Sequence, residues 1–424
     1  MKNYNFIFIY IYSIIFITGC KKSSEQSSLV KSLNERSTNE KIVVNNDNIT
    51  LYNTEDVKSE NIRIPSEIKS PKFINTVKLF SNIKMIPLET NDKSIIGNIN
   101  EILTDVNNYF IHDRRNNKLL RFNNEGQFLN SIGTIGKGPK ELFSIQDVAI
   151  NREKKIISIL DNKARKISRY TYSGKYINSQ PLYYMVSKHE YLNDSIVFSV
   201  SKVQKNNNIP IMQSYGLVFA NKKLQPLSLG FKNPKNSSSY MTSNPLRKID
   251  SEVYYNHPFS NSIWKIKKDS LIPIIKFEFE KNGLPNDAWR RKISNEKFKD
   301  LLDNNMYFSG EYLVTDKFIL FDINYKGRIY NFFFDRSSKS LEFGSNYKPS
   351  VEEPITFFMS PPLNHINEDS FISSMESSYI NMIRNNIIKN KTLIENFNPD
   401  DLEKIMKVKE SDNPVLITYK LKDF

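Results

Sequence analysis

The sequence predicts an all-β protein, a six-bladed β-propeller of four-stranded blades with short helical insertions. Three observations lead there: an ungapped internal repeat, its period, and the length left over once the helical stretches are set aside. The segment YFIHDRRNNKLLRFNNEGQFLNS (Tyr109–Ser131) recurs 48 residues later as ISILDNKARKISRYTYSGKYINS (Ile157–Ser179). Identical pairs include Ile111/Ile159, Asp113/Asp161, Lys118/Lys166, Arg121/Arg169, Gly126/Gly174 and Ser131/Ser179. A repeat of about 40–50 residues holding several strands is the signature of a propeller. Residues 75–424, less about 56 residues of predicted helix, leave about 49 residues per blade for six blades, against about 42 for seven and about 59 for five.

Each repeat reads as a strand, a second strand ending in Asp, a polar turn, a third strand, a Gly turn and a fourth strand. Gly126 and Gly174 suit hairpin positions that require positive φ. Weaker copies follow. SIVFSVSK and SYGLVFAN belong to a third blade, and EVYYNHP, SIWKI and PIIKFEF to a fourth. EYLVTD, FILFDIN and RIYNFFFD form a fifth, and PITFFMS, SFISSM and the C-terminal PVLITYKLK form a sixth. Two stretches break the period and are predicted helical, 286–304 and 374–408. In the second, Asn398-Pro399-Asp400-Asp401 supplies an N-cap, a Pro at the first helical position and acids in the first turn.

Composition narrows the function classes. Of 424 residues, 39% are apolar and 25% charged, too apolar for a disordered chain and too polar for a multi-spanning membrane protein. Lys and Arg total 60 against 46 Asp and Glu, a net charge of +14. One cysteine excludes a disulfide scaffold and a thiolate-rich metal site. Four histidines, His112, His189, His257 and His365, fall in different blades, and nothing in their spacing makes them converge. No metal and no cofactor is expected. Gly133-Thr134-Ile135-Gly136-Lys137-Gly138-Pro139 departs from a phosphate-binding loop in spacing and in lacking Ser or Thr after the lysine, so it reads as an inter-blade turn. Asp113 and Asp161 recur at one blade position and are expected to cap turns.

The N-terminus reads MKNYNFIFIYIYSIIFITGC. The apolar run Phe6–Ile17 is too short to span a bilayer and fits a signal-peptide core. Ile17-Thr18-Gly19-Cys20 resembles a bacterial lipobox, which implies a signal peptide over 1–19, lipidation of Cys20 and membrane attachment through that lipid. Lys21 directly after Cys20 implies, by the same resemblance, the outer membrane. Residues 20–70 are rich in Ser, Asn, Lys and Glu and are expected to form a flexible tether.

SIGTIGKGPKELFSIQDVAI (Ser131–Ile150) resembles the inter-blade motif of NHL-type repeats. MIPLET (Met85–Thr90) and DNPVLITYKLK (Asp412–Lys422) resemble the ends of the six-bladed β-propeller lipoproteins of Bacteroidetes. The resemblance covers about 75–424. It implies a propeller closed by an N-terminal strand in the last blade and implies no activity.

In such a blade the turns between the second and third strands share a face with the inter-blade connections. That gathers Arg114, Arg115, Lys137, Lys140, Lys163 and Arg165 on one rim, to which Lys326, Arg328 and His257 are added as candidate ligand-binding residues. A positive rim attracts anionic groups. The expectation is a lipid-anchored envelope protein that binds a glycan, a peptide or a partner protein, and no nucleic acid. The alternative is a lyase or hydrolase acting on saccharide or peptide, by metal-assisted or acid/base chemistry; no catalytic residue is assigned. A cluster of perturbed acids or a metal in the channel would favour the enzyme, and a pre-formed polar pocket without one would favour the binder.

Overall fold

A computed structural model describes residues 50–424 apart from 52, 55–57, 69–71, 194, 201–205, 208, 234–241, 243, 268–269 and 286–293. The signal peptide, Cys20 and most of the expected tether lie outside the described residues, as does the first half of the 286–304 helix.

Six four-stranded antiparallel units make up the fold. Blade 1 consists of Glu101–Asp105, Asn108–Asp113, Lys118–Asn123 and Phe128–Ser131. Blade 2 repeats it as Asp147–Asn151, Ile156–Asp161, Lys166–Thr171 and Tyr176–Pro181. The two blades share the burial pattern of their second and third strands, which is the structural counterpart of the internal repeat. Blade 3 contains Lys188–Leu192, Ser195–Ser199, Tyr215–Ala220 and Pro226–Lys232, and blade 4 Leu246–Ile249, Glu252–Tyr255, Ser262–Ile266 and Ser270–Phe279. Blade 5 holds Tyr307–Val314, Phe318–Tyr325, Arg328–Asp335 and Leu341–Gly344.

Blade 6 closes the ring. Its strands run Asn364–His365, Ser370–Met375, Val415–Leu421 and, from the other end of the chain, Phe80–Pro87. The C-terminal strand is therefore interior to the sheet and paired on both sides. Val415, Leu416, Ile417 and Tyr419 are buried there. Asn413 adds a polar lock by accepting the Ile96 N–H at 2.8 Å and donating to the Glu89 and Ser94 carbonyls at 2.8 and 2.9 Å.

PITFFMS is not a strand of this blade. Pro354 starts a 3-10 helix over Pro354–Phe358, where its fixed φ is tolerated and its missing N–H costs nothing. Pro361 and Pro362 follow, so the innermost strand is delayed to the short Asn364–His365. The predicted 374–408 helix is three helices, Ser377–Ile387, Lys391–Glu395 and Pro399–Lys407, with Asn390 and Asn398 capping the second and third through their side-chain oxygens. In the other predicted helix the described part is Asn295–Asn304, capped by Ser294.

The tether is shorter than expected. Glu60–Ile64 lies parallel to the outer strand of blade 4, burying Ile62 and Ile64, and Thr50–Leu51 lies parallel to the outer strand of blade 3. Phe73–Asn75 then pairs with Asn346–Lys348. The segment before Phe80 thus covers outer blade edges that would otherwise present unpaired backbone. The reason composition misled is that a few alternating isoleucines suffice to dock a strand on a ready-made edge.

Recurrent Asp113 and Asp161 do cap turns. Asp113 accepts from the Asn116 and Gly97 N–H groups, and Asp161 from those of Ala164 and Phe143. Each carboxylate therefore ties the turn after its strand to the connection entering its blade. The Gly133–Pro139 segment is an inter-blade turn in which the Glu141 carboxylate takes the Gly138 N–H at 2.6 Å. A Cβ on Gly136 would lie 2.0 Å from that carboxylate, so the loop is filled by its own side chain.

Candidate functional site: a charged central channel

The first strand of each blade borders the propeller axis, and these strands carry Glu101, Asp147, Lys188, Glu190, Arg247, Lys248 and Glu311. Among the described residues, contacts cross between blades that are not neighbours, including His365 of blade 6 with Asp250 of blade 4 at 3.2 Å. Lys188 of blade 3 reaches Glu101 of blade 1 at 3.0 Å, and Arg247 of blade 4 donates through Nη1 to the Leu363 carbonyl beside blade 6 at 3.2 Å. Such contacts are possible only where inner strands converge around a narrow axis.

Lys188 also lies 3.4 Å from Asp147 and is only 15% exposed. Burial would lower its ammonium; the Glu101 and Asp147 carboxylates outweigh that and hold it above the usual lysine range. Asp147 shows the converse balance. Burial would raise its carboxyl, but Lys188 and hydrogen bonds from His189 hold it down at about 2. Its Oδ2 accepts both the backbone N–H and the ring Nδ1–H of His189 at 2.8 Å, and His189 Nε2 lies 2.7 Å from Ser158 Oγ. This Asp–His–Ser chain has the connectivity of a nucleophile triad. Ser158 and His189 are buried, however, so no substrate atom reaches the hydroxyl, and the chain serves to join blades 2 and 3 and orient Asp147.

Glu190 sits two residues beyond Lys188 on the first strand of blade 3. Burial, followed by the Asp147 charge, pushes its carboxyl up to about 8 against the opposing pull of Lys248. Its Oε2 is buried with no hydrogen-bond partner among the described residues. Lys248, lowered by burial, donates to the Tyr191 carbonyl at 3.1 Å.

On the far side Arg247 Nη2 donates to Glu311 at 3.2 Å, and Asn244 donates to both oxygens of that carboxylate. A cleft opens beside this pair, lined by Arg247, Glu311, Tyr312, Asp322, Asn331 and an apolar wall that includes Leu320. Asp322 accepts from Asn331 Nδ2 at 2.7 Å, yet burial pushes its carboxyl up to about 7. Tyr312 Oη is buried without a partner among the described residues.

With this geometry in view, the family model described as a domain of unknown function, DUF4934, matches residues 59–420. This chain belongs to the DUF4934 family. The match starts next to the edge strand Glu60–Ile64 and ends inside the last strand, so the family unit is the whole closed propeller. Among solved structures, a Bacteroides fragilis protein described as exported is similar at a TM-score of 0.68 and 17% identity, over 86% of this chain and 100% of that one. A member of the DUF4221 family from Bacteroides vulgatus aligns over 82% of this chain and 98% of its own at 9% identity and a TM-score of 0.49. The first of these likenesses concerns the fold. No curated protein matches.

In this DUF4934 propeller the basic residues singled out from sequence occupy exposed turns. Arg114 and Arg115 lie between the second and third strands of blade 1, Lys163 and Arg165 at the same place in blade 2, and Lys326 and Arg328 around the matching turn of blade 5. Lys137 and Lys140 are in the connection from blade 1 to blade 2. Antiparallel topology puts these turns on one face. Arg165 is partly withdrawn, and burial lowers its guanidinium. His257 does not join them. It is buried, with Nε2 2.7 Å from Asn233 Oδ1 and its ring stacked 4.8 Å from Phe231.

The other histidines are likewise held by protein partners rather than by one another. His112 Nε2 faces the Ile145 carbonyl, and His365 contacts Asn364 and Asp250. Among the described residues no three His, Cys, Asp or Glu side chains gather as a metal-binding set, and no helix is long and apolar enough to cross a membrane.

Sequence reasoning anticipated a central channel and missed the charged residues that line it. The available signal was charge inside first-strand segments, as in KHEYL (188–192) with Lys188 and Glu190 and LRKI (246–249) with Arg247 and Lys248.

Proposed function

We propose that this protein is a lipid-anchored, exported cell-envelope propeller that binds a polar ligand at the mouth of its central channel. The observation that carries the reading is the set of charged first-strand side chains, above all the Lys188–Glu101 pair spanning from blade 3 to blade 1. Charges brought this far from water cost stability unless paired, and a recognition role accounts for keeping them at an opening. The Bacteroides fragilis neighbour, described as exported, and the lipobox-like Ile17–Cys20 support the envelope address. An outer-membrane position follows from Lys21 by the same resemblance, and an NHL-like repeat from the Ser131–Ile150 segment. The basic turns that share the face of the inter-blade connections form an outer rim steering anionic groups toward the opening.

The raised carboxyls of Glu190 and Asp322 favour a second reading, acid/base catalysis on saccharide or peptide. A thermal-shift screen of the protein against oligosaccharides, peptides and divalent cations, with product analysis by mass spectrometry, separates the two. A ligand at about a hundred times its dissociation constant adds about 2.7 kcal/mol. A shift with the ligand recovered intact supports the binder; chemical conversion overturns it in favour of the enzyme.

A further inference from the structure

The turns at one end of blades 1 and 2 form a single hydrogen-bonded platform. In the turn after the second strand of blade 1, Asn117 accepts the Ile145 N–H at 2.6 Å and donates to the Phe143 carbonyl at 3.3 Å, both in the connection between the blades. That connection is tied in turn to blade 2. The Phe143 N–H reaches Asp161 at 2.7 Å, and Lys166 Nζ reaches the Glu141 carbonyl at 2.6 Å.

The charge of this platform is one-sided. Segments 114–117, 132–146 and 162–165 hold six basic residues, Arg114, Arg115, Lys137, Lys140, Lys163 and Arg165, against one acid, Glu141, which already accepts the Gly138 N–H. The turns at the opposite end of the same two blades, 106–107, 124–127, 152–155 and 172–175, hold four basic residues against two acids. All the platform cations except Arg165 are exposed, and so is Ile135 among them, at 46%. A bridge to Leu142 fixes the backbone at Ile135, so its exposure belongs to the loop's set geometry. Cations around an exposed aliphatic side chain suit the boundary of an anionic bilayer, where the cations meet phosphates and the apolar group enters beneath them. A soluble anion would pair with the cations and leave Ile135 without a use.

We propose that this end of blades 1 and 2 docks the propeller on an anionic phospholipid surface, with Ile135 entering the headgroup boundary. The inference goes beyond the channel reading, because it gives the rim a target of its own and needs nothing bound in the channel. The lipobox-like Ile17–Cys20 segment would bring such a surface within reach. A contact of this kind is reversible and screened by salt, so it orients a propeller that its lipid retains and does not replace the anchor.

The experiment is vesicle co-sedimentation of residues 20–424 carrying Cys20→Ala, a chain that takes no lipid and keeps every described residue. Vesicles are phosphatidylcholine with or without phosphatidylglycerol. At about 0.05 M salt the chain is expected to bind the anionic vesicles at least about tenfold more tightly than the neutral ones, and to lose most of that preference at about 0.5 M. The double variant Arg114→Glu/Arg115→Glu should weaken anionic-vesicle binding at least about tenfold, whereas Lys154→Glu/Lys155→Glu at the other end of blade 2 should leave it within about twofold. Ile135→Ser should weaken it about threefold, by an amount that salt does not change. Melting curves establish that each variant is folded.

Equal binding to neutral and anionic vesicles overturns the proposal. So does a loss from the Lys154 and Lys155 changes as large as that from Arg114 and Arg115, since the charge then acts without a preferred face. An unaltered Ile135→Ser chain, or capture by heparin with anionic vesicles ignored, overturns the lipid assignment in favour of a soluble polyanion. The channel reading stands or falls separately, because no channel residue is altered.

Discussion

Replacing Glu190 by Gln is expected to stabilise the protein, and to do so only at high pH. The carboxyl is raised from an ordinary 4.5 to about 8 by burial and by Asp147. A raised acid binds its proton more tightly in the folded chain. Its contribution is fully present below the unfolded value near 4.5 and is lost as pH rises through about 8. At about 1.4 kcal/mol per unit, the loss approaches about 5 kcal/mol at most, and channel water reduces it to about half. With an unfolding entropy of about 2.1 cal/mol/K per residue, a propeller of this size gains about 3–7 °C in melting temperature at pH 9 from the neutral isostere. At pH 5, where Glu190 is already protonated, the variant and wild type should melt within about 1 °C of each other. Differential scanning fluorimetry of both proteins across pH 5–9 checks this, since every other titration cancels in the difference. A variant that is destabilised at pH 9, or equally shifted at both ends, refutes the argument that Glu190 is an unpaired buried acid.

Three further outcomes follow from the structure. Asp147→Asn should destabilise the fold by about 2–3 kcal/mol at pH 7, because the native carboxyl is held at about 2 by Lys188 and His189. That stability is present above the unfolded value of 3.8 and lost as pH falls toward 2, so in urea melts the gap to wild type should narrow from pH 7 to pH 3; a constant gap contradicts the assignment. Deleting residues 412–424 removes the third strand of blade 6 and the buried Val415, Leu416, Ile417 and Tyr419. At about 1.5–3 kcal/mol per buried side chain this rivals the whole stability of a domain, and circular dichroism should find no cooperative melt. Cys20→Ala should leave the protein in the soluble fraction of lysed cells, where the wild type sediments with membranes; full retention on membranes removes the lipid anchor from the proposal.

Much of the architecture was legible because it repeats. The 48-residue offset preserves Asp113/Asp161 and Gly126/Gly174 at places where backbone geometry demands them, a turn cap and positive φ. Local chemistry also placed the helix at Pro399–Lys407, since Asn398 caps it whatever surrounds it. Local reasoning failed where a strand is defined by its neighbours. The two-residue strand Asn364–His365 has no pattern of its own, and Glu60–Ile64 becomes a strand because blade 4 offers it an edge. The basic turns were found because exposed lysines and arginines in turns need no tertiary context. The channel's lining residues were missed because Lys188 and Glu190 read as ordinary solvated charges until the ring closes.

By itself, the sequence determined the all-β class, the blade length and the turn chemistry, all set by contacts within about 50 residues of chain, and the number of blades through the length that the repeat has to fill. It also carries the lipobox-like Cys20 segment. Only the tertiary structure decided which charges meet. Lys188 and Glu101 are 87 positions apart, and Arg247 and Glu311 are 64 apart. Their first strands are neighbours of the axis solely because Val415–Leu421 and Phe80–Pro87, from opposite ends of the propeller, complete one sheet. Ring closure converts scattered charges into a single low-dielectric site, where one unpaired carboxyl oxygen costs far more than it would in water.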